Sequence, residues 1–403
     1  MLFFGFSLLC IFIEYSLTWN RKKALRQLAK ANMLAIKSFQ ALSLNMNDHE
    51  FHEELLTYSD NVPYSYLDID QDELFNLQIN NGVVFNMFEP MHSGMISLVY
   101  LAKRTATRDD VIVKIKRKNI DARLRQDYRN IVNVFWILSF FDSRFNIKFD
   151  ENLLFQQLDF SKERENIIAM RETAHALDYV YIPKVHEEVE GGNVILMEYV
   201  KGVPVKDVPI DQYDAYAKKI LNYIVVSLLI HGKCHGDLHS GNVFFLGDKI
   251  GIIDFGLVYE ISPEFKNAFV SLVIDIFTLP AKEAAKSFMY CGILEPVENI
   301  RNNLEEIHKE NINAILERIL EKVFHKDKRG SIMDIFDCLL SVLDYLKSNS
   351  LLDELQLSIN PDFIKLQFIF AMGQGLVITL CKDRHIEVIN ECISDLFHLD
   401  YIR

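Results

Sequence analysis

The stretch of sequence that decides the fold is HGDLHSGNVFFLGDKIGIIDFGL, residues 235–257. Within it, Asn242 follows Asp237 by five residues, and the triplet Asp254-Phe255-Gly256 begins seventeen residues after Asp237. The segments VFFL and KIGIID are short and apolar, and Gly247-Asp248 joins them, which predicts a β-hairpin. One polar motif therefore directly precedes the predicted hairpin, and the other directly follows it.

These spacings match what phosphoryl transfer from ATP requires. The reaction needs a carboxylate near the attacking oxygen and further oxygens that hold magnesium on the phosphates. Asp237 and Asn242 fit the kinase loop H-x-D-x-x-x-x-N, and Asp254 fits the magnesium-binding aspartate of D-F-G. We predict that Asp237 orients or deprotonates a hydroxyl group or water, while Asn242 and Asp254 hold Mg²⁺. The alternative is that Asp237 and Asn242 only shape a turn. That role would not require the Asp254-Phe255-Gly256 motif across the hairpin as well.

Upstream, Lys114 lies in VIVKIK, in the third of three strand-like runs. An ammonium group on a strand that faces the phosphates holds the α- and β-phosphates of ATP. In an apolar strand a lysine otherwise protects a sheet edge, but the downstream motif favours the catalytic interpretation. Its expected partner is a glutamate on a helix, for which Glu163 is the candidate and Glu165 a weaker one. In ordinary protein kinases this glutamate follows far sooner, so an inserted helix is implied.

The rest of the chain divides into predicted helices and strands by the spacing of its apolar residues. Helices are predicted at 21–60, at 121–176 and over most of the chain after about 211; strands are predicted at 82–90, 96–103, 109–117 and in YIPKVHEEVE and NVILMEYV, a hairpin turning at Gly191-Gly192. A small sheet with helices, followed by a mainly helical half, predicts an α+β fold with two lobes and one cleft.

The predicted fold is therefore a bilobal protein-kinase-like fold with an N-terminal helical extension and a mainly helical C-lobe. The predicted boundaries are a hydrophobic segment at 1–20, the helical extension at 21–80, an N-lobe with inserted helices at 81–200 and a C-lobe with the catalytic and metal loops at 201–403. The apolar run at 363–380 contains Lys365 and two glycines, which favours a core helix over a membrane span.

Composition argues against several classes of protein. The net charge of −13, with no basic stripe to offset it, argues against nucleic acid as a main partner. The six cysteines lie far apart without a C-x-x-C pair, which suits a reducing compartment better than a disulfide framework. His235 and His239 lack a third ligand at zinc spacing, and His235 is expected to pack and hydrogen-bond inside its loop.

The N-terminal run at 1–19 carries one charged side chain, Glu14. As a helix it would be about 28 Å long, close to the ~30 Å thickness of the hydrocarbon layer. A basic cluster follows: Arg21, Lys22, Lys23, Arg26 and Lys30. The run predicts membrane association with the main body on the cytoplasmic or matrix side. The alternative is a helix packed on the body of a cytoplasmic protein.

Two features argue against a conventional protein kinase. Gly236 stands where many protein kinases have the arginine that pairs with a phosphorylated activation loop. Soon after Gly256, the segment Ser262-Pro263-Glu264 predicts a helix start, with Ser262 as the cap and Pro263 at the first position. A peptide-docking segment does not fit in that short interval.

Together, residues from about 20 to about 380 resemble the UbiB family of atypical kinase-like proteins. Lys37-Ser38-Phe39-Gln40 occupies the place of the family's K-x-G-Q motif, and Asp60-Asn61-Val62-Pro63 looks like its D-x-V-P. The alanine-rich nucleotide loop corresponds to Pro90–Ala102. Gln157-Leu158-Asp159 resembles the family's E-x-D element, and Leu196-Met197-Glu198-Tyr199 resembles its hinge strand.

The resemblance implies nucleotide-binding roles for two segments. His92, Ser93 and Gly94 replace the alanine loop, and the glycine would let backbone N–H groups approach the phosphates closely. The backbone of Glu198 and Tyr199 would hold adenine.

It also implies a regulatory lid. The K-x-G-Q helix would fold over the cleft, with Lys37 and Gln40 on one helix face near the phosphates. Lys37 would pair with an acidic residue such as Asp159. Phe39 replaces the motif glycine and would re-aim the lid without abolishing it.

The resemblance implies an atypical kinase or ATPase that binds ATP and Mg²⁺ and supports isoprenoid-quinone lipid metabolism, by ATP hydrolysis or by small-molecule or lipid-linked phosphotransfer. A lipid or membrane surface and protein partners in a lipid-biosynthetic complex are the other implied partners. Two alternatives stay open: a small-molecule kinase of the aminoglycoside or choline type, whose loop also reads H-G-D-x-H-x-x-N, and a nucleotide-binding scaffold without catalysis. Residues 37–63 favour UbiB over the first, and a turnover assay separates the second.

Overall fold

The structure, a computed structural model, describes residues 62–139, 151–187, 189, 192–280, 291–296 and 357–398 and the isolated positions 23, 27, 32, 34, 35, 283, 287, 288, 343, 346–348 and 352. The predicted membrane segment at 1–19 and the lid residues Lys37 and Gln40 lie outside the described residues. The chain divides into two compact units, Met1–Ile168 with Pro183–Val200 and Ala169–Ile182 with Lys201–Arg403. Each unit contains strands and helices, so the predicted α+β class is confirmed.

The elements are named here in chain order. The described helices are α1 Gln71–Asn80, α2 Ile120–Ser139, α3 Glu151–Gln156, α4 Phe160–Thr173, α5 Tyr213–Val226, α6 Pro263–Thr278, α7 Pro361–Cys381 and α8 His385–His398. The described strands are β1 Val83–Phe85, β2 His92–Ser93, β3 Ser97–Arg104, β4 Asp110–Lys116, β5 Val180–Tyr181, β6 Val194–Glu198, β7 Val203–Pro204, β8 Lys233–His235, β9 Val243–Leu246, β10 Lys249–Ile252, β11 Val258–Glu260, β12 Leu294–Pro296 and β13 Leu357–Ile359.

An antiparallel five-stranded sheet forms the centre of the first unit. Its order is β1-β3-β4-β6, with β2 also paired to β3. One face of the sheet packs on α1: Leu98, Tyr100 and Ile115 are buried there with Leu74 and Leu77. Directly paired residues of antiparallel strands point to the same face. The opposite face therefore carries one row formed by His92, Val99, Lys114 and Ile195.

The second unit contains a four-stranded sheet of order β5-β10-β9-β7 and the two-stranded pairs β8–β11 and β12–β13. The hairpin predicted around Gly247-Asp248 is confirmed, because β9 and β10 pair from Val243↔Ile252 to Leu246↔Lys249. Gly247 has a φ of 63°, a left-handed conformation that a glycine adopts without steric cost.

Two predicted elements differ from the structure. The first half of YIPKVHEEVE does not pair with β6: β5 lies parallel to β10, with Val180 opposite Ile250. Of its described residues, 184–186 run beside β6, where the His186 N–H donates to Leu196 O at 2.8 Å. The predicted helix at 121–176 is not continuous, because residues 157–159 are not helical and separate α3 from α4.

The apolar helix α7 packs on α5 within the second unit. Phe363, Leu366 and Gly373 are among its buried residues. A Cβ at Gly373 would lie 2.4 Å from Ile224 Cδ1, so this glycine permits the close approach of the two helices. By length and composition, Pro361–Ile389 is also long and apolar enough to cross a membrane, and 39% of its apolar window is buried. The contact with α5 favours the predicted core helix.

Candidate active site

A buried ion pair in the first unit joins the predicted partners Lys114 and Glu163. Lys114 Nζ donates to Glu163 Oε1 at 2.6 Å, and the two side chains are 9% and 2% exposed. The ring centroid of Phe160 lies 5.7 Å from the ammonium group. The weaker candidate, Glu165, is 70% exposed and pairs instead with Lys162 at 3.4 Å. The structure therefore brings together the lysine and glutamate that the phosphate-binding prediction requires.

Asp159 places Glu163 in the first turn of α4. Asp159 Oδ1 accepts hydrogen bonds from the Ser161 and Lys162 N–H groups at 3.0 and 3.1 Å, and Asp159 O accepts from Glu163 N–H at 3.0 Å. This is the geometry of a helix N-cap. The predicted pairing of Asp159 with Lys37 stays a prediction, because Lys37 lies outside the described residues.

The predicted phosphate loop, His92 to Gly94, forms β2 and the turn after it. The Gly94 N–H donates to Ser97 O at 2.9 Å, and the Ser93 hydroxyl is buried between Val62 O and Arg117 Nη2. In this conformation, both polar groups have partners within the protein. Sequence reasoning missed Arg117, because no pattern separates it from Lys116 and Lys118, the basic residues on either side of it at the end of the strand-like run 109–117.

The predicted adenine-binding segment lies at the end of β6. The Glu198 N–H donates to Lys184 O at 3.0 Å, and Glu198 Oε2 accepts from the Lys184 N–H at 2.9 Å. Glu198 and Tyr199 are both half-buried. These bonds fix the backbone at the strand end, and the contact with adenine stays a prediction.

In the second unit, His235 is buried and hydrogen-bonds inside the loop that carries Asp237, as the sequence predicted. The ring is buried; its Nε2 lies 3.1 Å from Ile253 O, and its Nδ1 accepts from the Asp237 N–H at 3.0 Å. These partners require a neutral ring with the proton on Nε2. Burial lowers the pKa of His235, which favours the same neutral form. Among the described residues, no three His, Cys, Asp or Glu side chains are grouped closely enough to hold a metal ion.

Asn242 is held with its amide nitrogen toward the loop. Asn242 Nδ2 lies 2.9 Å from Asp237 O and 3.1 Å from His239 Nε2. A carbonyl oxygen can only accept, so the atom facing Asp237 O must be the amide nitrogen. The amide oxygen is consequently turned away from the loop backbone. The Asn242 side chain is thus held against the backbone carbonyl of Asp237.

Asp254 follows β10 at the open end of the hairpin. The Ile253 N–H donates to Asn242 O at 3.0 Å, which places Asp254 beside Asn242 at that end. Asp254 has a φ of 60°, the left-handed region that aspartate and asparagine enter more readily than most residues. Carboxylate and amide oxygens are the ligands that Mg²⁺ prefers, so the donor set at this end fits a magnesium ion.

The connection after Asp254 is short and closely packed. The Gly236 N–H donates to Leu257 O at 2.9 Å, and β11 pairs with β8 directly before α6 begins at Pro263. A Cβ at residue 236 would lie 2.6 Å from Leu257 Cγ, so an arginine could not replace Gly236 without a shift. The predicted helix start at Pro263 is confirmed, but the Ser262 side chain makes no capping hydrogen bond.

Comparison with known proteins places these residues in a family. The family model of the ABC1 atypical kinase-like domain matches residues 63–288, a range that includes Lys114, Glu163, Asp237, Asn242 and Asp254.

Individual proteins similar to this chain are about one quarter identical to it. Over 313 residues the chain is 24% identical to Protein ACTIVITY OF BC1 COMPLEX KINASE 8, chloroplastic, of Arabidopsis thaliana, covering 70% of this chain and 40% of that protein. Over 251 residues it is 25% identical to Probable protein kinase UbiB of Blochmanniella pennsylvanica, covering 58% of this chain and 46% of that protein. The chain therefore spans less than half the length of these relatives.

Among solved structures, the complex of Rv3197 with erythromycin from Mycobacterium tuberculosis matches with a TM-score of 0.48 and 18% identity, covering 89% of this chain and 90% of that one. The family model covers more than half of the chain and contains the predicted phosphate-binding, catalytic and metal-binding residues. The chain belongs to the ABC1 atypical kinase-like family.

Proposed function

We propose that the protein binds ATP with Mg²⁺ and acts as an ATPase or as a phosphotransferase for a small-molecule or lipid-linked acceptor. The observation that carries this proposal is the buried Lys114–Glu163 pair, with 2.6 Å between Nζ and Oε1. Two buried opposite charges cost more in desolvation than a surface pair, so such a pair is weak evidence for a stabilising role. In kinases the same pairing presents the lysine to the nucleotide phosphates.

In this proposal each of the candidate residues has a separate role. Lys114 binds the α- and β-phosphates, and Glu163 holds the ammonium group in place. Asn242 and Asp254 bind Mg²⁺, which neutralises charge on the phosphates when it is bound. Asp237 orients the attacking hydroxyl or water and accepts its proton.

The acceptor class is inferred from the family rather than from a binding pocket. The resemblance to UbiB supports a role in isoprenoid-quinone lipid metabolism. The apolar run at 1–19 and the basic cluster after it support a site of action at a membrane surface. The names of the two relatives given above describe kinases, and the Arabidopsis protein is named as chloroplastic.

The test is a comparison of nucleotide binding with and without magnesium. At a nucleotide concentration one hundred times Kd, binding to the native state adds about 2.7 kcal/mol to the free energy of unfolding. We expect ATP with Mg²⁺ to raise Tm and ATP with excess EDTA to have a smaller effect. Release of phosphate in the same buffer separates an enzyme from a non-catalytic scaffold, and equal Tm values in all conditions would contradict the proposal.

We also expect no phosphorylation of generic peptides. The interval between Gly256 and α6 is occupied by β11, which pairs with β8 and leaves no segment of the length that docks a peptide. Radiolabelled ATP and a peptide library give the measurement, with the same preparation's phosphate release as a control for active enzyme. Transfer to peptides at about 1–100 s⁻¹, the usual range of kinases, would overturn this expectation.

A further inference from the structure

A buried polar cluster in the first unit has no role in the chemistry proposed above. It consists of Arg117, Asp68, Ser93 and the carbonyl oxygens of Val62, Pro63 and Gly94, and is named here the Arg117 cluster. Arg117 is 2% exposed, Ser93 6% and Asp68 8%. Arginine is almost never buried this deeply unless its charge and its N–H groups are satisfied. The acceptors around Arg117 are therefore needed to offset the free-energy cost of burying its charged guanidinium group.

One side of the guanidinium group holds the turn after β2. Arg117 Nη2 and Nε both donate to Gly94 O, at 2.7 and 3.0 Å. Arg117 Nη2 also donates to the Ser93 hydroxyl at 2.7 Å. Two nitrogens on one carbonyl oxygen fix its direction as well as its distance, because the guanidinium group is planar and rigid.

The same guanidinium group also holds the segment Val62–Asp68. Its Nη2, which contacts the turn, also donates to Val62 O at 3.1 Å, while Nη1 donates to Pro63 O and pairs with Asp68 Oδ2, both at 3.3 Å. The Ser93 hydroxyl donates to Val62 O at 2.7 Å, and the Val62 N–H donates to Ser93 O at 2.8 Å. One side chain thus ties this segment to the turn.

The turn is close to Lys114 in the sheet. His92, Val99 and Lys114 occupy one row across β2, β3 and β4, so the His92 and Lys114 backbones lie about 10 Å apart, two strand spacings. Arg117 follows Lys114 by three residues and comes directly after the last residue of the same strand, Lys116. A shift of the turn would therefore change its position relative to the ammonium group.

We infer that Arg117 is a positioning residue that sets the turn from Ser93 to Gly94 for nucleotide phosphates and couples it to the segment Val62–Asp68. This inference rests on the proposed ATP function and adds a route by which the N-terminal extension regulates the site. Movement of residues 62–68 would withdraw three acceptors from Arg117 and release the turn. Phosphate binding would weaken, while contacts to the adenosine part of the nucleotide would not change.

The experiment compares Arg117→Met with Arg123→Met in the full chain. Arg123 Nη1 pairs with Oδ1 of the same Asp68 carboxylate at 3.2 Å and has no hydrogen bond to the turn among the described residues, so it controls for the loss of a positive charge at Asp68. We expect Arg117→Met to weaken ATP binding about tenfold, since misplaced phosphate contacts cost at least that much. Adenosine binding should stay within about twofold, and Arg123→Met should change neither. Ser93→Ala keeps Arg117 and should give a smaller effect in the same direction if Arg117→Met fails to fold.

A second measurement does not depend on nucleotide. Hydrogen exchange of peptides containing the Gly94 and Val62 amides reports on the bonds to Ser97 O and Ser93 O. Both amides should exchange about tenfold faster in Arg117→Met and unchanged in Arg123→Met. Equal exchange in the two variants, or equal loss of ATP and adenosine binding, would overturn the inference. If the wild-type protein bound no nucleotide, the proposed function would fall, and the exchange comparison would still decide whether Arg117 fixes the turn.

Discussion

Asp254→Asn is expected to remove the magnesium dependence of nucleotide binding and to lower phosphate release by about 100-fold or more, because it deletes a charge at the developing negative phosphate. The substitution is well matched to the backbone. Asp254 has a φ of 60°, and asparagine tolerates this left-handed conformation as aspartate does. The Gly256 N–H, 3.3 Å from Asp254 Oδ1, retains an acceptor in the amide oxygen. The fold should therefore persist while the metal ligand weakens.

The matched control for Asp254→Asn is Asp248→Asn. Asp248 lies at the closed end of the same hairpin and is exposed. The same change of charge there should leave the magnesium titration and the rate of phosphate release unchanged. Equal magnesium dependence of the wild-type protein and Asp254→Asn would show that Asp254 is not a metal ligand.

Glu163→Gln is expected to lower the free energy of unfolding by about 3 kcal/mol and to abolish high-affinity ATP binding. Removing one member of a buried ion pair leaves the other charge in a low-dielectric interior without the carboxylate that offset its desolvation. The measurement is denaturant unfolding together with nucleotide titration. The control is Asp121→Asn, which breaks the 2.9 Å pair between Lys116, on the strand of Lys114, and Asp121 on α2. Because Asp121 is 56% exposed, that change should cost less than about 1 kcal/mol.

A double replacement separates stability from function at this pair. Lys114→Met with Glu163→Leu substitutes apolar side chains of similar size for both charges. Such exchanges are often neutral, so the free energy of unfolding should return to within about 1 kcal/mol of the wild-type value. ATP binding should not return, because the ammonium group is gone. A double variant that binds ATP normally, or a Glu163→Gln variant no less stable than Asp121→Asn, would contradict the assigned role.

The helix glutamate shows where sequence reasoning needed the fold. Glu163 and Glu165 are two residues apart, so on one helix they face different directions. The sequence favoured Glu163 by its place after Gln157-Leu158-Asp159. The structure supplied the reason, since Asp159 caps α4 and sets the turn in which Glu163 meets Lys114. Contact between residues 49 apart depends on how the strand and helix pack, which no local pattern encodes.

The predicted strand YIPKVHEEVE shows that sequence reasoning has the same limit when it assigns the partner of a strand. Its alternation predicted a strand, yet Pro183 lacks the N–H needed to continue a ladder. Val180 and Tyr181 pair with β10 instead, over a separation in sequence of about seventy residues. Partner choice between strands is a tertiary property, because any strand offers the same row of backbone donors and acceptors.

By itself, the sequence determined the α+β class, the β9–β10 hairpin and the spacing of Asp237, Asn242 and Asp254. These features are local: short apolar runs, a glycine turn and polar residues at fixed intervals specify them within about twenty residues. The sequence also offered Glu163 as the partner of Lys114, with Glu165 as a weaker candidate. Only the tertiary structure decided that Glu163 makes this contact, that β5 pairs in parallel and that Arg117 is buried. Each joins segments far apart in sequence, and their free energy comes from desolvation and packing that exist only once the chain has folded.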